Sequence, residues 1–275
     1  MGSAPAELLA DLERQLGEVE ARFLLAGTLG VPVPALFEPG RIVSARQRAK
    51  LERNLLERLR GVPLQYVLGE WEFYGRSFRV QPGVLIPRPE TEVLVEALLE
   101  RLHRGASGTA LDLGTGTGVL AITLKLERPG LRVLAWDKSP TAARLARANA
   151  KRLGAEVEVR KVDFTRPPAE PAELALVVSN PPYIASREIP RLDPVVRDHE
   201  PHEALDGGPD GFALVRHVVQ RFGPRLIPGG WLACEIGWDQ GPAARRLGEK
   251  VGLGPVEVLP DLGRRDRVLV IRREK

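Results

Sequence analysis

The stretch from Ala110 to Ile122 constrains the fold more than any other part of this chain. Ala110-Leu111-Asp112-Leu113 has the pattern of a short strand. Gly114-Thr115-Gly116-Thr117-Gly118 follows without a break, and a helical pattern opens at Val119-Leu120-Ala121-Ile122. Strand, glycine loop and helix in that order form the front of a nucleotide-binding βαβ unit, and such units build parallel sheets. Glycines let the backbone approach a ligand closely and turn tightly into the helix. The spacing is not G-x-G-x-x-G. Two readings therefore stay open for the loop alone, a dinucleotide cradle and a tight connection.

Three further apolar runs end in residues with useful chemistry. Arg132-Val133-Leu134-Ala135-Trp136-Asp137 reads as a second strand ending in an acid, which in a doubly wound sheet can accept from ribose hydroxyls. Glu158-Val159-Arg160-Lys161-Val162 reads as a third, with Asp163 and Phe164 at its end. An Asp there can accept from an adenine amino group while the ring packs on the base. Each acid alone equally suits a helix cap or a solvated loop. Leu174-Ala175-Leu176-Val177-Val178 is a buried-strand pattern that leads into Asn180-Pro181-Pro182-Tyr183. The two prolines stop the strand and stiffen the turn, because each fixes its own φ and donates no N–H. The turn would hold the Asn180 amide, a backbone carbonyl and the Tyr183 ring at the carboxyl end of a sheet, where open α/β sheets bind ligands. Two acceptor oxygens match the two N–H bonds of a planar NH2 group. For the tetrapeptide alone, a plain strand-to-loop turn is the alternative. Chemistry at every successive strand end argues against coincidence.

With 275 residues, 43% hydrophobic and 28% charged, the chain has room for one large α/β domain and a smaller one. A net charge of +4 permits an acidic or nucleic-acid partner without requiring one. Cys234 is the only cysteine, so no internal disulfide and no C-x-x-C metal signature exist. Its strand-like surroundings, Gly230 to Ile236, make it a small core residue. The chain has neither a long apolar run nor a cationic-plus-apolar leader, so a soluble cytoplasmic protein without membrane contact is expected.

The N-terminal part has a different texture. Leu8, Leu9, Leu12, Leu16 and Val19 recur at helical spacing, and Phe23, Leu24 and Leu25 continue the apolar face. Ser44 is placed to cap a helix over 46–59, with Leu51, Leu55, Leu56 and Leu59 inward. Tyr66-Val67-Leu68 and Trp71-Glu72-Phe73-Tyr74 around a Gly69 turn, with Phe78-Arg79-Val80, predict a β-hairpin connector. In Leu85-Ile86-Pro87-Arg88-Pro89-Glu90-Thr91-Glu92, Glu90 or Thr91 is placed to cap the next helix. The Pro-Arg-Pro segment suits the rim of a pocket or a stiff linker. Helices are expected over 140–153, 211–222 and 242–251, a strand over 230–236, and an antiparallel pair over 256–259 and 268–271. The resulting domain plan is a helical bundle over 1–62, a hairpin linker over 63–84 and an α/β domain over 85–275. The bundle either docks a partner or caps the larger domain.

Asp112 to Gly118, Asp137, Asp163 and Asn180 to Tyr183 together resemble the class I S-adenosylmethionine-dependent methyltransferases. More narrowly, nearly the whole chain resembles the PrmC (HemK) family, the glutamine methyltransferases of peptide chain release factors. The resemblance runs through Pro63-Leu64-Gln65-Tyr66, Gly69 to Phe73, Ile86 to Glu92, Leu111 to Gly118 and Asn180 to Tyr183. It continues through Glu200-Pro201 with Ala204-Leu205, Glu235 to Trp238 with Gln240-Gly241, and Asp261 to Gly263 with Arg267-Val268. The N-P-P-Y tetrapeptide is shared with adenine-N6 and other amino methyltransferases, whereas residues 63–66 and 87–92 are more particular. The N-terminal bundle matches in pattern only.

The resemblance implies a doubly wound, mostly parallel seven-stranded sheet with a small N-terminal helical bundle and a hairpin connector. It implies S-adenosylmethionine as methyl donor, S-adenosylhomocysteine as product, and no metal. Asp112, Gly114, Thr115, Gly116, Thr117, Gly118, Asp137, Asp163, Phe164 and Asn180 would contact the cofactor. The substrate would be the glutamine of a release factor's Gly-Gly-Gln motif. Asn180, Pro181, Pro182 and Tyr183 would hold its amide, and Arg88 and Glu90 would also touch substrate. A monomer suffices, and no direct nucleic-acid contact is required. The alternative is a nucleic-acid amino methyltransferase acting on adenine N6 or rRNA guanine N2, although no target-recognition insert interrupts the chain.

Overall fold

The computed structural model describes residues 4–169, 171 and 173–274. Residues 1–3, 170, 172 and 275, which include the outer ends of the two terminal domains in the plan above, lie outside the described residues. The N-terminal region forms three helices, α1 (Pro5–Leu16), α2 (Glu18–Leu29) and α3 (Ala45–Leu59). The Ser44 hydroxyl accepts from the Gln47 N–H while the Gln47 side chain accepts from the Ser44 N–H, a reciprocal cap that starts α3. Leu9, Leu12, Leu24, Leu25 and Leu51 form the shared core, with Leu55 packed against it. Leu56 and Leu59 depart from expectation, being 56% and 51% exposed. Leu51 and Leu55 occupy the stripe that faces the core, and Leu56 lies about 140° around the helix from Leu51, on the solvent side. Val19 and Phe23 are likewise exposed.

The hairpin also differs from expectation. Leu64–Leu68 is a helical turn, α4, closed by Gly69 in the left-handed conformation. Three apolar residues in a row cannot distinguish helix from strand by periodicity. Burial decides in favour of helix, because Leu64, Val67 and Leu68 complete the core of α1–α3. The hairpin itself comprises β1 (Glu70–Phe73) and β2 (Arg76–Arg79). Tyr74 and Gly75 both have positive φ, as a two-residue type I′ hairpin turn requires.

The larger unit opens with α5 (Glu90–Arg101), whose N-terminal cap is Pro89 and not the side chain of Glu90 or Thr91. Then β3 (Gly108–Leu113), α6 (Val119–Glu127), β4 (Leu131–Asp137), α7 (Pro140–Leu153), β5 (Val157–Lys161) and β6 (Leu174–Ser179) alternate. A long loop carries the short α8 (Pro194–Arg197), and α9 (Ala213–Phe222), β7 (Leu226–Glu235), α10 (Gly241–Val251), β8 (Val256–Pro260) and β9 (Asp266–Arg272) complete the chain. The sheet order is β5-β4-β3-β6-β7-β9-β8, with β9 antiparallel to both neighbours and the other pairs parallel.

Alternate residues of each strand feed two separate cores. Ala110, Val133, Ala135, Leu176 and Val178 pack beneath α5, α6 and α7. Leu111, Leu113, Trp136, Val177, Leu232 and Cys234 pack beneath α9 and α10. Covering both faces explains why the strands read as continuous apolar runs. Burial holds the Cys234 thiol protonated in that core. The strand order reverses between β3 and β6, so a crevice opens at their carboxyl ends. Among the described residues, no helix is long and apolar enough to cross a membrane.

Candidate active site

The glycine loop leaves β3 and is held against β4 by two hydrogen bonds, from the Gly114 and Thr115 N–H groups to the Trp136 carbonyl, at 2.8 and 3.0 Å. Gly118 has φ +88°, and a Cβ there would stand 2.9 Å from Ile122 and 3.2 Å from Ala146. Only glycine lets α6 start so close to α7. Asp137, at the end of β4, accepts from the Gly116 N–H through Oδ2 at 2.9 Å and from the Ser139 N–H through Oδ1 at 2.8 Å. Burial pushes its pKa upward, against those two bonds. Asp163 accepts from both the N–H and the hydroxyl of Thr165, which holds its carboxyl below the usual range.

At the end of β6, the Asn180 amide donates from Nδ2 to the Thr91 hydroxyl at 3.0 Å. The Thr91 hydroxyl donates to Glu235 Oε2 at 2.7 Å, and the Tyr183 hydroxyl donates to Glu235 Oε1 at 3.0 Å. Glu235 is fully buried at the end of β7. Burial raises its pKa, opposed by these two hydroxyls and by the Arg267 charge. Burial and the Glu235 charge together keep the Tyr183 phenol protonated, so it acts as a donor. Gln240 fixes the turn from below, donating to the Tyr183 and Gly211 carbonyls and accepting from the Gly237 N–H.

Two adjoining clefts open here. The larger is lined by Gly114 to Thr117, Asp137, Lys138, Asp163 and Phe164, together with Gly83 to Arg88. The smaller is lined by Pro181, Tyr183, Ile184, Val196 and Leu205. Leu85, Arg88, Asn180, Pro182 and Ala204 border both, so Asn180 stands at the passage between them. Arg88 is held there by an ion pair with the buried carboxylate of Glu200, which also accepts from the Ile86 N–H at 3.1 Å.

Most of the residues singled out in the sequence thus meet in one place. Asp112, Gly118 and Glu90 do not line either cleft. Asp112 lies beneath the loop, 1% exposed, where its Oδ2 accepts from the Thr115 hydroxyl at 2.6 Å and the Ala121 N–H at 3.2 Å. Its role is to shape the loop from below, and burial pushes its pKa up to about 7. Glu90 is exposed on the first turn of α5. Sequence reasoning missed Thr91 as a site residue, and it left Glu235 and Glu200 without a role. An acid closing an apolar strand, as Glu235 closes β7, is the same signal that singled out Asp137.

The family described as Methyltransferase small domain matches residues 81–192, and the PrmC N-terminal domain matches residues 6–69. A Koribacter versatilis protein named release factor glutamine methyltransferase is 39% identical over 257 residues, 93% of this chain and 91% of its own. A Neisseria gonorrhoeae protein of the same name is 43% identical over 257 residues, 92% of this chain and 93% of its own. The chain belongs to the release factor glutamine methyltransferase family.

Family membership is accompanied by a wider likeness in fold. A methyltransferase from Pyrococcus furiosus superposes with a TM-score of 0.56 at 16% identity, over 84% of this chain and all of its own. The T. thermophilus 16S rRNA methyltransferase RsmC, solved with AdoMet and guanosine, superposes with a TM-score of 0.55 at 22% identity, over 74% of this chain and 50% of its own. At such identities the shared property is the class I methyltransferase fold.

Proposed function

We propose that this protein transfers a methyl group from S-adenosylmethionine to the side-chain amide nitrogen of the glutamine in a release factor's Gly-Gly-Gln motif. The observation that carries the proposal is the hydrogen-bonded orientation of Asn180. Its NH2 is engaged by Thr91, which leaves Oδ1 as an acceptor at the passage between the clefts. With the carbonyl of the next residue, Pro181, which also lines the smaller cleft, this oxygen would provide the pair of acceptors that a planar amide NH2 needs. The names of the relatives at 39% and 43% identity support a protein substrate over a nucleic acid.

The residues fit the methyl donor. Asp137 keeps a lone pair on each oxygen beyond the backbone bonds it accepts, suited to ribose hydroxyls. Asp163 and Phe164 line the end of the larger cleft where an adenine amino group and ring would lie. Buried Asp112 Oδ1 has no partner, an acceptor left over beneath the loop that would border the methionine end. When bound, S-adenosylmethionine supplies an electrophilic methyl group on a sulfonium.

The protein's part is orientation. A glutamine amide nitrogen is a poor nucleophile, because its lone pair is delocalised into the carbonyl. Asn180 Oδ1 and the Pro181 carbonyl accept its N–H bonds and shift electron density toward nitrogen. Tyr183 packs on the flat amide, Pro182 walls the site, and Arg88 borders the substrate side. Holding the nitrogen in line supplies much of the rate, as in other two-substrate reactions. The nitrogen sheds its proton after it becomes cationic, so no base acts first. One chain holds both clefts, so a monomer suffices. Docking of the release factor falls to the helical bundle over residues 1–62, which the exposed Val19, Phe23, Phe37 and Ile42 support.

The test is transfer of labelled methyl to a purified release factor and to its Gln→Ala version. Label on the intact factor alone is expected. Label on neither, with label entering ribosomal RNA or DNA, overturns the substrate.

A further inference from the structure

We infer that Thr91 and Glu235 are positioning residues that set the polarity of the Asn180 amide, making the smaller cleft select an amide NH2 over a carboxylate. The inference rests on the function proposed above and adds the origin of its selectivity. A carboxamide has a donor end and an acceptor end of nearly the same shape, so packing alone does not decide which end faces a ligand. Here hydrogen-bond bookkeeping decides. A hydroxyl has one hydrogen, and Thr91 directs it to Glu235 Oε2 at 2.7 Å. Thr91 can then only accept from Asn180, and Asn180 Nδ2 meets it at 3.0 Å. Asn180 Oδ1 is therefore the end left for the clefts.

Glu235 is the origin of the direction. Each of its oxygens accepts one hydroxyl, Thr91 on Oε2 and Tyr183 on Oε1 at 3.0 Å. Thr91 and Glu235 are 1% and 0% exposed, so these hydrogen bonds are made inside the protein. A carboxamide at position 235 offers a single oxygen and would leave one of the two hydroxyls facing an N–H donor. If that hydroxyl is Thr91, it accepts from position 235 and donates to Asn180. The Asn180 amide then turns over and presents NH2 to the substrate. A turned amide repels the glutamine NH2 and welcomes a carboxylate.

The experiment measures labelled methyl transfer to a purified release factor by wild type, Thr91→Val, Thr91→Ser and Glu235→Gln. Cofactor Kd comes from calorimetry, and a factor with Gln→Glu in its Gly-Gly-Gln motif serves as competitor. Thr91→Val keeps the shape and loses the hydroxyl. Its kcat is expected to fall on the order of 100-fold, with cofactor Kd within about threefold. The Gln→Glu factor should inhibit Thr91→Val more strongly than wild type, by about tenfold. Thr91→Ser should regain most of the lost turnover. A Thr91→Val enzyme with kcat near wild type overturns the inference. So does a serine variant as poor as the valine one, a loss shared by cofactor binding, or unchanged competition by the Gln→Glu factor. A wild-type enzyme that labels no release factor overturns the proposed function itself, a different result from any of these.

Discussion

The Ser179 hydroxyl donates a 2.7 Å hydrogen bond to the Leu113 carbonyl, joining the last residues of β6 and β3 where the strand order reverses. Both residues are fully buried. The glycine loop and the Asn-Pro-Pro-Tyr turn therefore leave the sheet side by side, about one strand spacing apart (~4.8 Å). A methyl donor on one loop and an amide acceptor on the other would be brought to reacting distance by the sheet.

Asn180→Ala removes the acceptor at the passage between the clefts while leaving the glycine loop and Asp137 intact. Turnover should fall by about 10²- to 10³-fold, the usual loss for one oriented polar group at a reacting centre. Cofactor affinity should hardly change. Steady-state methyl transfer and calorimetry on the same preparation check both halves. Lost cofactor binding with turnover per bound enzyme preserved would reject the role.

Asp137→Ala takes away the carboxylate that accepts from the Gly116 and Ser139 N–H groups. Hydrogen bonds to a charged group contribute about 1.5–3 kcal/mol, so cofactor Kd should rise roughly 10- to 100-fold. Titration calorimetry reads this directly, and an unchanged Kd refutes the ribose assignment.

Asn149, in the C-terminal half of α7, joins that helix to the hairpin and to the glycine loop. Its Oδ1 accepts from the Arg79 N–H at 2.9 Å, and its Nδ2 donates to the carbonyls of Arg79 at 3.0 Å and Thr117 at 2.9 Å. Asn149→Ala leaves those backbone groups without this partner at a site that is 0% exposed. It should cost about 2–4 kcal/mol, measured as a lower urea midpoint. A loss below about 0.5 kcal/mol, the range of ordinary surface substitutions, would show that the hairpin and glycine loop are held by other contacts.

Asp112 makes stability depend on pH in a stated direction. Its folded pKa, raised by burial to about 7, stands above its unfolded value of 3.8. Between these values the unfolded chain gives up the proton while the native one keeps it. Stability from this group therefore falls as pH rises from about 4 to 7, and the cost is complete above that range. Asp112→Asn removes this dependence. The difference in unfolding free energy, wild type minus variant, should decline across that window by an amount on the order of 1 kcal/mol per pH unit. A flat difference would mean that the carboxyl is ionised throughout.

The parallel sheet was legible from the sequence because its strands are short apolar runs. Each cofactor-side strand carries its polar group at the carboxyl end, as Asp137 closes β4 and Asn180 follows β6. Local pattern failed at Tyr66 to Leu68, where three apolar residues fit either element and packing against the bundle selected helix. It also fails on α3, where not every apolar residue faces inward: Leu56 points to solvent.

The fold class, the glycine loop and the Asn-Pro-Pro-Tyr turn are written in local pattern, because backbone stiffness and hydrophobic period act over neighbouring residues. Which end of the Asn180 amide faces the clefts is set at long range. That depends on Thr91 meeting Glu235, which lies 144 positions further along the chain, just as the placing of Arg88 at the clefts depends on Glu200, 112 positions on. A hydrogen bond requires its partners within about 3 Å. Contacts between segments so far apart in the chain come into being only when α5 docks on the sheet and the 181–212 loop folds over the carboxyl ends of its strands.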